Sequence, residues 1–172
     1  GRELWTLHHA YFMQNKIEEA SNIYPQVKQA VLDQYGRTSE QMLDLLEKQS
    51  RLLVDSKPQE ARAIAEELIS LLSKIDNSEE AIRAWFAHNL AAHTLIRLGR
   101  FAESAEHINQ SLIYHKKATK LKPHKTLSQN LAVILLEYQS SCNAKNQTPM
   151  GTCDKYSKVL YEIANREFRK SD

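Results

Sequence analysis

The chain has 172 residues, 42% of them hydrophobic and 26% charged, which is typical of a soluble folded protein with a substantial core. Its formal net charge of +2 gives no reason to expect nucleic-acid binding, and its 4 Gly and 4 Pro are too few for a chain of many tight β turns. The longest apolar run, Leu131 to Leu136, is far too short to cross a bilayer, and no signal peptide is visible.

Nearly every segment predicts a helix. The first carries apolar residues at helical spacing between Leu4 and Phe12, and the second runs from about Ile17 to Gln34. Pro25 falls inside the second helix and predicts a kink or a short break. Gly36 directly follows that helix, as glycine commonly does at a helix end.

The middle of the chain predicts three more helices. Thr38 to Gln41 has the spacing of a capping box and starts the third. Pro58 suits the first turn of the fourth, which runs to about Leu72. Three polar residues from Ser78 to Glu80 open the fifth, which ends near Leu98.

The last part of the chain completes a set of eight predicted helices. The sixth runs from Phe101 to about Leu121, the seventh from Lys125 to Ser141 and the eighth from about Asp154 to Lys170. Short connectors between consecutive helices predict four antiparallel hairpins. The fold class is therefore all-α.

Short motifs recur at a nearly constant spacing. Glu60-Ala61 and Glu103-Ser104 are 43 residues apart, and Glu19-Ala20 precedes the first of them by 41. Asn89-Leu90-Ala91 recurs as Asn130-Leu131-Ala132, again 41 residues on. A period in the low forties built from paired helices is typical of a solenoid, in which each hairpin buries its apolar face against its neighbours. A generic helical bundle with chance recurrences is the alternative.

The chain resembles the tetratricopeptide repeat family. Its best match is the unit from about Trp85 to Leu121, with a small residue where the helices cross, a Gly at the turn, an aromatic two residues later and small residues in the second helix: Ala92, Gly99, Phe101, Ser104 and Ser111. The resemblance implies a right-handed superhelical α-solenoid of about four hairpins, in one domain over residues 1–172. Its units are approximately 1–36, 38–76, 78–122 and 124–170, a spacing longer than the standard repeat.

The other units match the repeat less closely. The first keeps its apolar positions and Ala20, but Asn15 replaces the turn Gly. The second keeps Ala61 and lacks both the Gly and the aromatic, and the fourth replaces the turn by a longer loop.

The resemblance also implies a binding surface, because certain first-helix positions of such arrays line the concave groove. Carried over without gaps, they fall on Trp5, His9, Phe12, Leu46, Ser50, Phe86, Asn89, His93, Arg97, Asn130 and Tyr138. Asn89 and Asn130 share a repeated local context, and an Asn amide offers donors and an acceptor to the backbone of an extended peptide. The alternative is that both cap turns or face water.

No catalytic motif is recognised in the sequence. It has no Gly-rich phosphate loop, no G-x-S-x-G elbow and no H-E-x-x-H motif. Of the seven histidines, His88 and His93 are five residues apart and His107 and His115 eight, neither of which is the three- or four-residue spacing that brings helical side chains together. We therefore expect a non-catalytic protein with no cofactor and no metal site.

Cys142 and Cys153 are the only cysteines, and they flank the polar loop between the seventh and eighth predicted helices. The facing ends of an antiparallel hairpin are close, so a disulfide between them is expected, contributing roughly 2–3 kcal/mol on the loop-entropy model. Two free thiols in a reducing cytosol are the alternative.

Three function classes follow. The first is a module that binds a protein or peptide in the groove, most concretely the extracytoplasmic, periplasmic sensor domain of a bacterial membrane signalling protein. The disulfide, the start at Gly1 rather than Met and the degenerate repeats favour it. The second is an intracellular adaptor with free thiols, and an enzyme with an unrecognised site is the third, least favoured reading. No span lies within the chain, and a tether to a membrane would belong to the full-length protein.

Overall fold

The computed structural model describes residues 2–73, 80–121 and 135–136. Within them the chain forms helices and no strands, which confirms the all-α prediction. The helices are α1 (Arg2–Met13), α2 (Ile17–Tyr35), α3 (Glu40–Leu53), α4 (Pro58–Leu72), α5 (Glu80–Arg97) and α6 (Phe101–Leu121). Apart from residues 135–136, the predicted seventh and eighth helices lie outside the described residues. None of the described helices is long and apolar enough to cross a membrane.

The turns after α1 and α5 have the same backbone hydrogen bonds. Asn15 N–H donates to the Phe12 carbonyl and Lys16 N–H to the Tyr11 carbonyl, at 3.0 and 2.9 Å. The same two bonds recur from Gly99 and Arg100 at 3.0 and 2.8 Å. Both turns need a residue in the left-handed conformation. This residue is Asn15 (φ 53°) in the first turn and Gly99 (φ 70°) in the second. Asn tolerates this conformation better than most residues, so the first turn keeps its geometry without glycine.

The remaining helix ends follow local sequence signals, with one difference from expectation. Gly36 ends α2 with φ 89°, and Pro58 occupies the first turn of α4, as predicted. The cap of α3 is Ser39 rather than Thr38, because its hydroxyl accepts from the Met42 N–H at 3.2 Å. The helix α2 is continuous through Pro25, so a break is absent there, and a kink stays a prediction.

The chain divides into two compact units, residues 1–76 and 77–172. In the first unit α1 packs on α2 and α3, α2 on α3, and α3 on α4. Ala61 is fully buried where α3 and α4 cross, and its carbonyl accepts from the Ser50 hydroxyl at 2.8 Å. Lys28 of α2 forms a 2.6 Å ion pair with Glu67 of α4.

In the second unit α5 and α6 pack in antiparallel orientation, because residues late in α5 contact residues early in α6. Ser104 donates its hydroxyl to the Ala92 carbonyl at 2.9 Å, and both residues are fully buried. At the other end of the pair the Trp85 ring lies 6.5 Å from that of His115. Small residues thus let two helices approach closely in each unit, and a serine hydroxyl bridges each crossing.

Candidate functional site

The first candidate site is a surface of aromatic and cationic side chains on α1 and α3 of the first unit. Its α1 residues are Trp5, His9 and Phe12, one turn apart and half-buried. The Trp5 and His9 rings stack, with centroids 6.0 Å apart and planes 10° apart. These are three of the predicted groove residues, and the structure brings them together. We call this set, with Lys48 and Arg51 of α3, the Trp5 surface.

The two cations of the Trp5 surface lie over its aromatic rings. The Lys48 ammonium is 5.5 Å from the Trp5 ring and 5.9 Å from the Phe12 ring, and the Arg51 guanidinium is 5.4 Å from the Phe12 ring. Cations at these distances are attracted by the ring quadrupole. The surface can therefore offer positive charge and apolar area side by side.

The two cations differ in how firmly carboxylates of α3 hold them. Lys48 forms a 2.6 Å ion pair with Asp44 and its side chain is 15% exposed. Arg51 is 48% exposed, and its Nη1 lies 3.9 Å from Glu47, which is too long for a hydrogen bond. Arg51 is therefore the cation best placed to meet an external acidic group.

The predicted α3 positions, Leu46 and Ser50, do not lie on this surface. Both are fully buried, and the Ser50 hydroxyl is bonded to the Ala61 carbonyl. The α3 residues beside the α1 aromatics are Lys48 and Arg51. Each residue of offset rotates a helical side chain by about 100°, so the ungapped alignment of the repeats places its α3 positions on the buried face of the helix. The prediction of Leu46 and Ser50 as groove residues is wrong for this reason.

The predicted α5 residues have different surroundings from one another. Phe86 packs edge-to-face on Trp85, with centroids 4.7 Å apart, and contributes to the core. Arg97 is exposed and donates to His93 at 3.3 Å. Asn89 is half-buried, and its side-chain oxygen is buried without a hydrogen-bond partner. A role for Asn89 in holding a peptide backbone stays a prediction.

Four predicted site residues lie outside the described part of the chain. They are Asn130, Tyr138, Cys142 and Cys153. The predicted groove position of the first two and the predicted disulfide of the last two therefore stay predictions.

A second candidate site lies between α5 and α6, and the sequence does not predict it. His88 and His107 face each other across the helix pair, and their Nδ1 atoms are 3.0 Å apart. One ring must donate its Nδ1–H, and the other must accept with the lone pair of its Nδ1. The Tyr114 ring stacks on His88 at 5.6 Å with planes 16° apart.

The histidine pair opens onto a surface depression of about 350 Å³. It is lined by His88, Glu106, His107, Asn109 and Gln110. Burial, with His107 as a smaller cause, lowers the pKa of His88 from 6.5 to about 4. His88 is therefore a neutral imidazole at pH 7, with a nitrogen lone pair. No group of three or more His, Cys, Asp or Glu side chains in the described part of the chain is arranged to hold a metal ion.

Comparisons with known proteins give no family assignment. A scan against protein-family models finds no match. A search of curated proteins finds no significant similarity either.

Proposed function

We propose that this protein is a non-catalytic module that binds a peptide segment of a partner protein, built from repeats of the tetratricopeptide type. The observation that carries the proposal is the Trp5 surface, where three aromatic rings of α1 and two cations of α3 meet. In such an array the first helices line one concave face, so a surface shared by α1 and α3 is suited to an extended chain.

Two local features support the repeat architecture. The turns at Asn15 and Gly99 share their hydrogen bonds, although only one of them contains glycine. Serine hydroxyls bond a carbonyl across the helix crossing in both α3–α4 and α5–α6, from the first helix of the pair in one case and from the second in the other. The shared turn geometry and the shared kind of crossing favour repeated units over a generic bundle. A right-handed superhelix of about four hairpins is the arrangement we propose.

The chemistry of the Trp5 surface favours one class of peptide. Trp5 and Phe12 can cover an apolar side chain, and Arg51 can donate to a carboxylate once its long contact with Glu47 opens. We infer that the preferred segment carries an acidic residue next to an apolar one. No step of this recognition needs a catalytic group or a cofactor.

The charge reversal Arg51→Glu tests this assignment. We expect it to weaken binding to acidic-apolar peptides about five- to tenfold, because a favourable contact is replaced by repulsion. Labelled protein is applied to an array of random twelve-residue peptides, and affinities of the selected peptides are then measured by fluorescence anisotropy. Arg51 is exposed, so the fold should tolerate the change.

The matched control is Arg37→Glu, the same charge change at an exposed loop position of the same unit. It should bind the selected peptides as the parent protein does. Selected peptides without acidic residues, or equal losses for both variants, would contradict the proposed role of Arg51.

The compartment is a separate proposal that depends on the two cysteines. With Cys142 bonded to Cys153, the module fits an extracytoplasmic sensor domain of a bacterial membrane signalling protein; with free thiols it fits an intracellular adaptor. For protein isolated from its native host without reductant, we expect the intact mass to rise by two hydrogens on reduction, and stability to fall by roughly 2–3 kcal/mol. Alkylation of both thiols before any reduction would favour the adaptor.

A further inference from the structure

The facing histidines of α5 and α6 suggest a use beyond peptide binding. We propose that His88 and His107 together hold one divalent transition-metal ion through their Nδ1 atoms, with Cu²⁺ as the preferred ion. Imidazole nitrogen is a good ligand for Cu²⁺, Ni²⁺ and Zn²⁺, and Cu²⁺ forms the strongest complexes of the three. The site is independent of the Trp5 surface, which lies in the other unit.

The separation of the two nitrogens selects the geometry. Ligand nitrogens about 2.0–2.1 Å from a metal and 3.0 Å from each other subtend an angle of about 95° at the metal. That angle fits two neighbouring positions of a square-planar or octahedral complex and is smaller than the tetrahedral angle. Tetragonal nitrogen and oxygen coordination is characteristic of Cu²⁺ and Ni²⁺, whereas Zn²⁺ in proteins is usually tetrahedral.

The fold brings both ligands close together before a metal arrives. Ser104 and Ala92 bring α5 and α6 together by a buried hydrogen bond between the helices. Tyr114 stacks on one face of the His88 ring. A pair of ligands already brought together in this way loses less conformational entropy on binding than two distant side chains do.

The depression beside the pair supplies the rest of the coordination sphere. The histidines occupy two positions, and water fills the others, since the depression is open to solvent and wide enough for several water molecules. The exposed Glu106 side chain lines the same depression and adds negative charge close to the cation.

Metal binding requires a rearrangement of one proton. At present one Nδ1 carries a proton, and the lone pair of the other Nδ1 accepts the hydrogen bond from it. A metal takes a lone pair from each Nδ1, and both rings then carry their proton on Nε2. The donating ring exchanges its proton from Nδ1 to Nε2 through solvent, and a rotation of each ring turns its lone pair toward the metal.

The test uses tag-free, metal-stripped full-length chain and Cu²⁺ alone as the probe, in a buffer that does not coordinate metals. Calorimetric titration should show one Cu²⁺ site, and pulsed electron paramagnetic resonance should show two imidazole nitrogens bound to it. His107→Gln should weaken that site at least tenfold, because one of two protein ligands is lost. His93→Gln on α5, which leaves the facing pair intact, should bind Cu²⁺ as the parent protein does.

Two further measurements separate this site from other histidines. We expect Ni²⁺ to bind the same pair more weakly than Cu²⁺, and Zn²⁺ to bind it more weakly still, because Zn²⁺ in proteins is usually tetrahedral. Nitrogen-15 NMR of the histidine rings in the unmutated protein should show shifts of the His88 and His107 Nδ1 atoms on adding Zn²⁺, which does not depend on how a variant folds. Equal Cu²⁺ affinity for His107→Gln and the parent, or shifts confined to other histidines, would overturn the proposal.

Discussion

Replacing Trp85 with alanine should lower the free energy of unfolding of the second unit by about 3–5 kcal/mol, because a large core side chain is removed and its space cannot fully close. Trp85 is fully buried and belongs to the core cluster with Ile108 and Phe101. Its ring packs edge-to-face on Phe86, at 4.7 Å. Denaturant unfolding followed by far-ultraviolet circular dichroism gives the total change, and hydrogen exchange of α5 and α6 amides shows where it falls.

The milder change Trp85→Phe should cost only about 1 kcal/mol. The Trp85 indole N–H is buried without a hydrogen-bond partner, so the parent protein already bears the desolvation cost of that group, about 1–3 kcal/mol. Phenylalanine keeps most of the aromatic contacts and removes the unpaired N–H. Removing that N–H partly offsets the cost of the lost volume. A Phe variant as unstable as the Ala variant would mean that the indole shape, rather than apolar burial, determines packing here.

Helix positions in this chain are predictable from sequence because the local signals are strong. Pro58 at the start of α4, Gly36 after α2 and the turn at Gly99 each fix a helix end through backbone geometry alone. Asn15 shows that such a turn requires a residue that tolerates the left-handed conformation, and that this residue need not be glycine. Local signals also mislead by one residue, as at Ser39, because neighbouring hydroxyls compete for the same cap.

The candidate sites are less predictable, since each depends on contacts between helices. The spacing of residues in the sequence shows which side chains of α1 lie one turn apart. The α1 part of the Trp5 surface is predicted for that reason. Its α3 members are missed because the length of the intervening connection sets the register, and sequence repeats give that register only to within one or two residues. The pairing of His88 with His107 depends on the α5–α6 crossing, so no spacing within one helix could indicate it.

A single side chain, Gln49, joins three helices of the first unit, and its loss should be the second large effect. Gln49 is buried; its oxygen accepts from His8 of α1 at 2.8 Å, and its amide nitrogen donates to Ser21 of α2 at 3.1 Å. Gln49→Leu keeps the volume but leaves the buried His8 N–H without its acceptor. We expect a loss of about 2–3 kcal/mol, the cost of an unpaired buried polar group.

The tryptophan content of the chain allows the first unit to be followed alone. Trp5 and Trp85 are the only tryptophans, so in a Trp85→Phe background fluorescence reports Trp5. Denaturant unfolding is compared for the background, for Gln49→Leu, for His8→Phe and for the double variant Gln49→Leu with His8→Phe. The double change removes both polar partners and should recover most of the loss. Additive losses would show that the His8–Gln49 bond contributes little.

The same variants also test how the stability of the first unit depends on pH, and the direction of that dependence can be predicted. Burial lowers the pKa of His8 below its ordinary value of 6.5, and the hydrogen bond to Gln49 opposes that shift only in part. Below pH 6.5 the unfolded chain takes up a proton that the folded unit resists, so the unit loses stability as the pH falls toward the lowered folded pKa. His8→Phe should remove this part of the decline between pH 7.5 and 5. An unchanged decline in that variant would show that the buried imidazole at the centre of the first unit is not the group that limits its stability in acid.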